Sequence, residues 1–276
     1  MSNNSKHFLA HDTERFQEYK GDVKTGKKVI TASALLPHEI YEKVVYRVSK
    51  NDVEVAELQW ERYVADLKKS GAFDNVLAVC DVSGSMTGTP MSVSIALGLL
   101  VAQLTNPPFH NLICTFSAEP EFFQVPEGSL SAKFAAIRAM HWMMNTNFEA
   151  VFDNILKKAK SVNLAPEHMV KRVLVFSDMQ FDEATKGQYN KTTHENLEAK
   201  FKNAGYTLPQ IVYWNLRASV SGGLPVTRHT SGALLMSGYS GQLLKTIMSG
   251  GDLDMITLML KAVSGGLYDK VQLAKE

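Results

Sequence analysis

Apolar residues fall along this chain in two rhythms. Residues 1–70 carry them at helical spacing among many charges, so helices are expected over 11–23, 37–48 and 51–70. The last of these has Val55, Leu58, Trp60, Tyr63 and Leu67 among its apolar positions. From residue 71 the pattern changes to short, unbroken apolar runs of strand length, separated by longer helical stretches. Strands are expected at 76–80, 111–116, 172–177 and 210–215, with a short edge strand at 120–125 and a weaker strand at 228–236. Helices are expected at 91–105, 131–140, 148–160, 193–204, 241–248 and 253–263. The run from Val76 to Cys80 has no polar residue to turn towards solvent, which is the pattern of a strand covered on both faces of a parallel sheet. Strands alternating with helices predict an α/β chain: a Rossmann-like, doubly wound, mostly parallel sheet over 71–276, preceded by a helical N-terminal extension over 1–70.

Composition narrows the class without changing that picture. A hydrophobic content of 45% and a charged content of 21% over 276 residues belong to a globular chain that buries a core. No apolar run approaches the roughly 20 residues needed to cross a bilayer. The opening Met-Ser-Asn-Asn-Ser-Lys-His lacks the hydrophobic segment of a secretory signal. An intracellular location, cytoplasmic or nuclear, is therefore expected, with no membrane partner. The net charge of +1 provides no basic field to attract nucleic acid. Cys80 and Cys114 each lie in an apolar run and are expected as reduced core thiols.

Candidate chemistry gathers where strands end. The first strand stops in Asp81-Val82-Ser83-Gly84-Ser85, and Thr89-Pro90 opens the next helix. Thr89 is expected as its cap and Pro90 in the first turn, where no N–H is needed. Strand 172–177 also ends in a carboxylate, Asp178. In the strand order 3-2-1-4-5-6 these two strands are neighbours where the chain order reverses, so both carboxylates face one crevice. Asn145-Thr146-Asn147 lies in a loop able to overhang it. Asp81, Ser83, Ser85, Thr146 and Asp178 are all hard oxygen donors, which suits Mg2+ or Mn2+ rather than zinc or copper. Neutral hydroxyls fill coordination positions without cancelling an ion's charge, so the ion remains electrophilic towards a further anion.

This constellation resembles the von Willebrand factor A domain and its metal-ion-dependent adhesion site, over about residues 71–265. Asp81-Val82-Ser83-Gly84-Ser85 matches the family's D-x-S-x-S loop in full. Thr146, ahead of Asn147-Phe148-Glu149-Ala150, matches its threonine loop, and Asp178 in Val-Phe-Ser-Asp matches its third loop. Where the family often has glycines before the threonine, this chain has Met143-Met144-Asn145. The helical lead-in and Leu35-Leu36-Pro37-His38-Glu39 resemble an uncharacterised plant and microbial family of intracellular proteins whose longer chains end in such a domain. More distantly, the architecture is similar to the Ro ribonucleoprotein autoantigen. The resemblance implies a non-enzymatic binding module. In it Ser83, Ser85 and Thr146 hold Mg2+ (or Mn2+), Asp81 and Asp178 ligate directly or through water, and a position stays open for an Asp or Glu of a protein partner.

Two other readings stay open. RNA binding is implied by the similarity to Ro, although there a helical-repeat region holds the RNA and 70 residues are too few to build one. A metal-dependent phosphoryl-transfer enzyme of one class uses a nucleophilic Asp with a second Asp two positions later, a place Ser83 takes here. A base would then come from His141, Asp182 or Glu183, and neither GxxxxGK nor GxGxxG is present. Around the loops Met86, Trp142, Met143, Met144, Met179 and Phe181 form a candidate apolar rim, at least half of it expected to pack inward. Arg217 is expected at the same edge of the sheet, able to pair with a second partner carboxylate.

Overall fold

The computed structural model describes residues 10–31, 35–46, 49–69, 75–117, 119–140, 147–178, 191–217 and 233–238. The expected helices at 241–248 and 253–263 lie outside these residues. The apolar runs form strands β1 (Val76–Cys80), β2 (Leu112–Thr115), β3 (Phe122–Gln124), β4 (Arg172–Ser177), β5 (Gln210–Asn215) and β6 (Ala233–Ser237). They join in one sheet in the order β3-β2-β1-β4-β5-β6. Every pair is parallel except β2 with β3, the edge strand, which runs antiparallel. This is the strand order expected from the sequence. β2 starts one residue late because Asn111 has a left-handed backbone, φ 57°. β3 is shorter than the expected 120–125, and Glu121 instead donates its N–H to the Thr115 side chain at 2.9 Å.

Seven helices are described: α1 (Thr13–Lys24), α2 (Pro37–Val45), α3 (Lys50–Lys68), α4 (Thr89–Leu104), α5 (Leu130–Arg138), α6 (Phe148–Ser161) and α7 (Lys191–Asn203). Asp12, Ser49, Ser129 and Asn147 cap α1, α3, α5 and α6, each side chain accepting a backbone N–H of the first turn. The expected cap at Thr89 does not form. Gly88, at φ 97°, occupies the cap position and Thr89 is already helical, so α4 starts with no side-chain cap. Pro90 does fall in the first turn, as its missing N–H allows.

Side chains alternate across the strands and so divide the core in two. Val76, Ala78, Cys80, Leu174, Phe176, Val212 and Trp214 face α4. Leu77, Val79, Val173, Val175, Ile211 and Tyr213 face α6 and α7, where Phe152 and Phe201 meet edge to face at 6.0 Å. Helix α4 lies so close to the sheet that a Cβ on Gly98 would collide with Cys80 Sγ. On its outer side α2, α3 and α5 form a further layer. There the Phe134 ring of α5 meets Tyr41 of α2 at 4.9 Å and Trp60 of α3 at 5.3 Å. Trp60 Nε1 donates to Gln103 Oε1 of α4 at 2.7 Å. Helix α1 joins α3 through Phe16, Ile30, Val55 and Leu58.

Both cysteines are free and buried, as expected. Val79 is the partner of Cys114 across β1 and β2, so Cys80 and Cys114 point to opposite faces of the sheet. Burial raises both thiols, Cys114 to about 12. Among the described residues no helix is long and apolar enough to cross a membrane.

Candidate metal centre

At the end of β1 the ladder continues by one bond: Asp81 donates its N–H to Phe176 O at 2.9 Å. The Asp81 side chain is thereby held beside β4, and it is buried. Its Oδ1 accepts the Ser83 N–H at 2.8 Å, and its Oδ2 accepts the Ser177 hydroxyl at 3.0 Å. The first of these bonds turns the chain back over the carboxylate. A short 3-10 turn, Gly84–Met86, follows and brings the Ser83 and Ser85 hydroxyl oxygens to 3.0 Å from each other. Met86, a candidate for the apolar rim, is fully buried in the core beside α4. It anchors the loop from below and forms no part of a rim. Trp142, Met143, Met144, Met179 and Phe181 lie outside the described residues.

Asp178, just past the end of β4, is also buried. Its Oδ2 lies 3.7 Å from Arg217 Nη1. The two carboxylates therefore end adjacent strands at the point where strand order reverses, which is where open α/β sheets place their ligands. Burial, and secondarily the negative charge of Asp178, hold the Asp81 carboxyl above its usual range, against the opposing pull of its bonds to Ser83 and Ser177. Ionising Asp81 in the metal-free protein thus costs stability. That cost is absent below the unfolded-state pKa and sets in as pH rises through the folded-state value.

Thr146 lies outside the described residues. Its neighbour Asn147 is placed: its N–H donates to Ser117 O at 3.1 Å, just beyond the end of β2, the other strand beside β1. Asp81, Asp178 and the start of α6 therefore all lie at the same edge of the sheet. Among the described residues no three His, Cys, Asp or Glu side chains converge, so a metal reading depends on hydroxyls beside two carboxylates. Such a set fits Mg2+ or Mn2+. All its donors are oxygens, and two buried carboxylates whose charges raise one another's energy gain from a cation between them.

Three supporting residues escaped the sequence reading: Ser177 orients Asp81, Ser117 ties down the start of α6, and Asn215 Oδ1 accepts the Arg217 N–H at 2.8 Å. Ser177 and Asn215 are polar residues that directly follow the apolar runs of β4 and β5, a signal visible in the sequence once the strands are drawn.

Residues 75–268 match the family model described as Domain of unknown function (DUF7788). The chain belongs to this family. Asp81, Ser83, Ser85 and Asp178 all lie inside its DUF7788 region, as do β1 to β6. Residues 1–73 match a second model, Domain of unknown function (DUF2828), which takes in α1 to α3. An uncharacterized protein of Acanthamoeba polyphaga mimivirus is 35% identical over 261 residues, which is 95% of this chain and 45% of that protein. The chain thus spans less than half the length of this relative.

Proposed function

We propose that the chain is a non-enzymatic, metal-dependent protein-binding module, with a doubly wound, Rossmann-like sheet of the von Willebrand factor A type. The observation that carries this reading is the pairing of two buried carboxylates, Asp81 and Asp178, with the adjoining hydroxyls of Ser83 and Ser85 at the carboxyl edge of β1 and β4. Ser83, Ser85 and Thr146 would hold Mg2+ or Mn2+, with Asp81 and Asp178 ligating directly or through water. Bound there, the ion supplies a positive centre for an Asp or Glu of the partner. The chain's own part is to preorganise the donors. Ser177 and the Ser83 N–H fix both Asp81 oxygens, while buried Met86 holds the serine loop at its base. We place the module inside the cell, where its two free thiols remain reduced.

Thermal melting with Mg2+ or EDTA tests this. With free Mg2+ at tenfold its dissociation constant, linkage gives about 1.4 kcal/mol, a rise of about 2–4 °C for a domain of this size. Asp81→Asn keeps groups able to bond Ser83 and Ser177 but removes the charge, so the variant should fold and show no metal-dependent rise. An equal rise in Asp81→Asn would place the ion elsewhere and end the proposal.

A further inference from the structure

Arg217 stands at the mouth of the crevice for reasons the backbone makes clear. Leu216 donates its N–H to Ser177 O at 2.9 Å, and Arg217 donates its own to Asn215 Oδ1 at 2.8 Å. The residues after β5 are thus fastened to the end of β4, and Arg217 reaches across to Asp178. The contact is loose. At 3.7 Å, between a guanidinium 38% exposed and a carboxylate 1% exposed, it is a charge attraction and not a hydrogen bond. A fixed cation beside a carboxylate that would ligate a metal is an odd arrangement, because it competes with the ion for Asp178 and repels it. The arrangement makes sense if the guanidinium has a second anion to take once metal is bound. Arginine's planar fork matches a carboxylate, and an exposed guanidinium retains donors for one.

We propose that Arg217 is a specificity-determining residue of the site: with metal bound it pairs with the partner's carboxylate, one carboxylate oxygen meeting the ion and the other the guanidinium. This rests on the metal reading above. It takes the acidic partner residue of that reading and assigns Arg217 to hold its second carboxylate oxygen. It also adds that Arg217 acts in opposite directions on the two binding steps, weakening metal binding and strengthening carboxylate binding.

The test uses the full chain, with Mn2+ as the metal, acetate as the carboxylate probe, and water-proton relaxation as the readout. Relaxation reports Mn2+ binding and then the loss of metal-bound water when acetate enters. Arg217→Met keeps the backbone bond to Asn215 and should stay folded by circular dichroism. It should bind Mn2+ about 3- to 10-fold more tightly, the effect of removing one nearby positive charge in a solvated site. It should bind acetate about 5- to 10-fold more weakly, with Arg217→Lys between it and the wild type. Arg217→Met with both affinities unchanged, or with both weakened, would overturn the proposal; if that variant does not fold, Arg217→Lys decides, and unchanged affinities in it would overturn the proposal. Failure of the wild type to bind Mn2+, or equal Mn2+ binding by Asp81→Asn, would overturn the metal reading itself, and this inference with it.

Discussion

The two faces of the sheet are covered in different ways. Behind one face α6 is amphipathic: Val151, Phe152, Ile155, Leu156 and Ala159 are buried, and Asp153, Lys157 and Lys160 meet solvent. One layer of helix suffices there. On the other face α4 is buried along every side from Ser92 to Ala102. A helix apolar all round needs a second cover, and α2, α3 and α5 provide it. The boundary between the two matched families, at residues 73–75, therefore runs through a shared core: Tyr41 and Trp60 from one side pack with Phe134 from the other. What the comparison teaches is that the N-terminal helices are part of the platform that holds β1, and so Asp81, in place.

The largest expected effect tests whether that second layer is integral. Trp60→Ala removes a buried ring and leaves Gln103 Oε1 without its donor, so it should cost about 3–5 kcal/mol. Urea unfolding followed by both fluorescence and circular dichroism should still show one transition, displaced to lower urea. A cost under about 1 kcal/mol, or an early separate phase, would make the N-terminal helices an appendage and break the comparison.

Next comes the contact between α4 and the sheet. Gly98→Ala places a methyl against Cys80 Sγ and should destabilise by about 1–3 kcal/mol through overpacking. Adding Cys80→Ala should recover part of that, a coupling of about 1 kcal/mol in a double-mutant cycle. Strictly additive costs would mean that α4 shifts freely on β1 and that the two faces are equally forgiving.

The sequence made some of this plain and concealed the rest. The bounds of β1, β4 and β5 coincide with those expected because each contains an unbroken apolar run buried on both faces, even though Arg172 and Gln210, which open β4 and β5, are polar and only half-buried. The positions of Asp81 and Asp178 at the ends of β1 and β4 were legible because the apolar runs before them mark where those strands stop. The cover over α4 was not legible. A helix buried all round has no polar stripe, so nothing in its own sequence says which elements surround it. The cap was misread because Thr89 has the right chemistry, and only the backbone shows that the left-handed turn is made one residue earlier, at Gly88.

The smallest expected effect contrasts one ion pair from each side. In the N-terminal layer Lys20 is 5% exposed and meets Glu54 Oε2 and Asn51 Oδ1 between α1 and α3. On the single-layer face Lys200 of α7 meets Glu149 and Asp153 of α6, and all three side chains are well exposed. The hydrogen bond to Glu149, foremost, raises the Lys200 pKa, so the pair stabilises the fold at neutral pH and that contribution is lost only as pH rises through the raised value. Solvent and salt screen it, and exposed pairs of this kind contribute about 0.2–1 kcal/mol. Lys200→Met should therefore cost less than about 1 kcal/mol and lose most of its effect in 1 M salt. Lys20→Met leaves Glu54 and Asn51 facing an apolar side chain in a part-buried setting, and should cost more than Lys200→Met with little dependence on salt. If both substitutions cost the same and respond to salt alike, the outer layer is as open to water as the single-helix face, and the difference between the two sides is one of helix count alone.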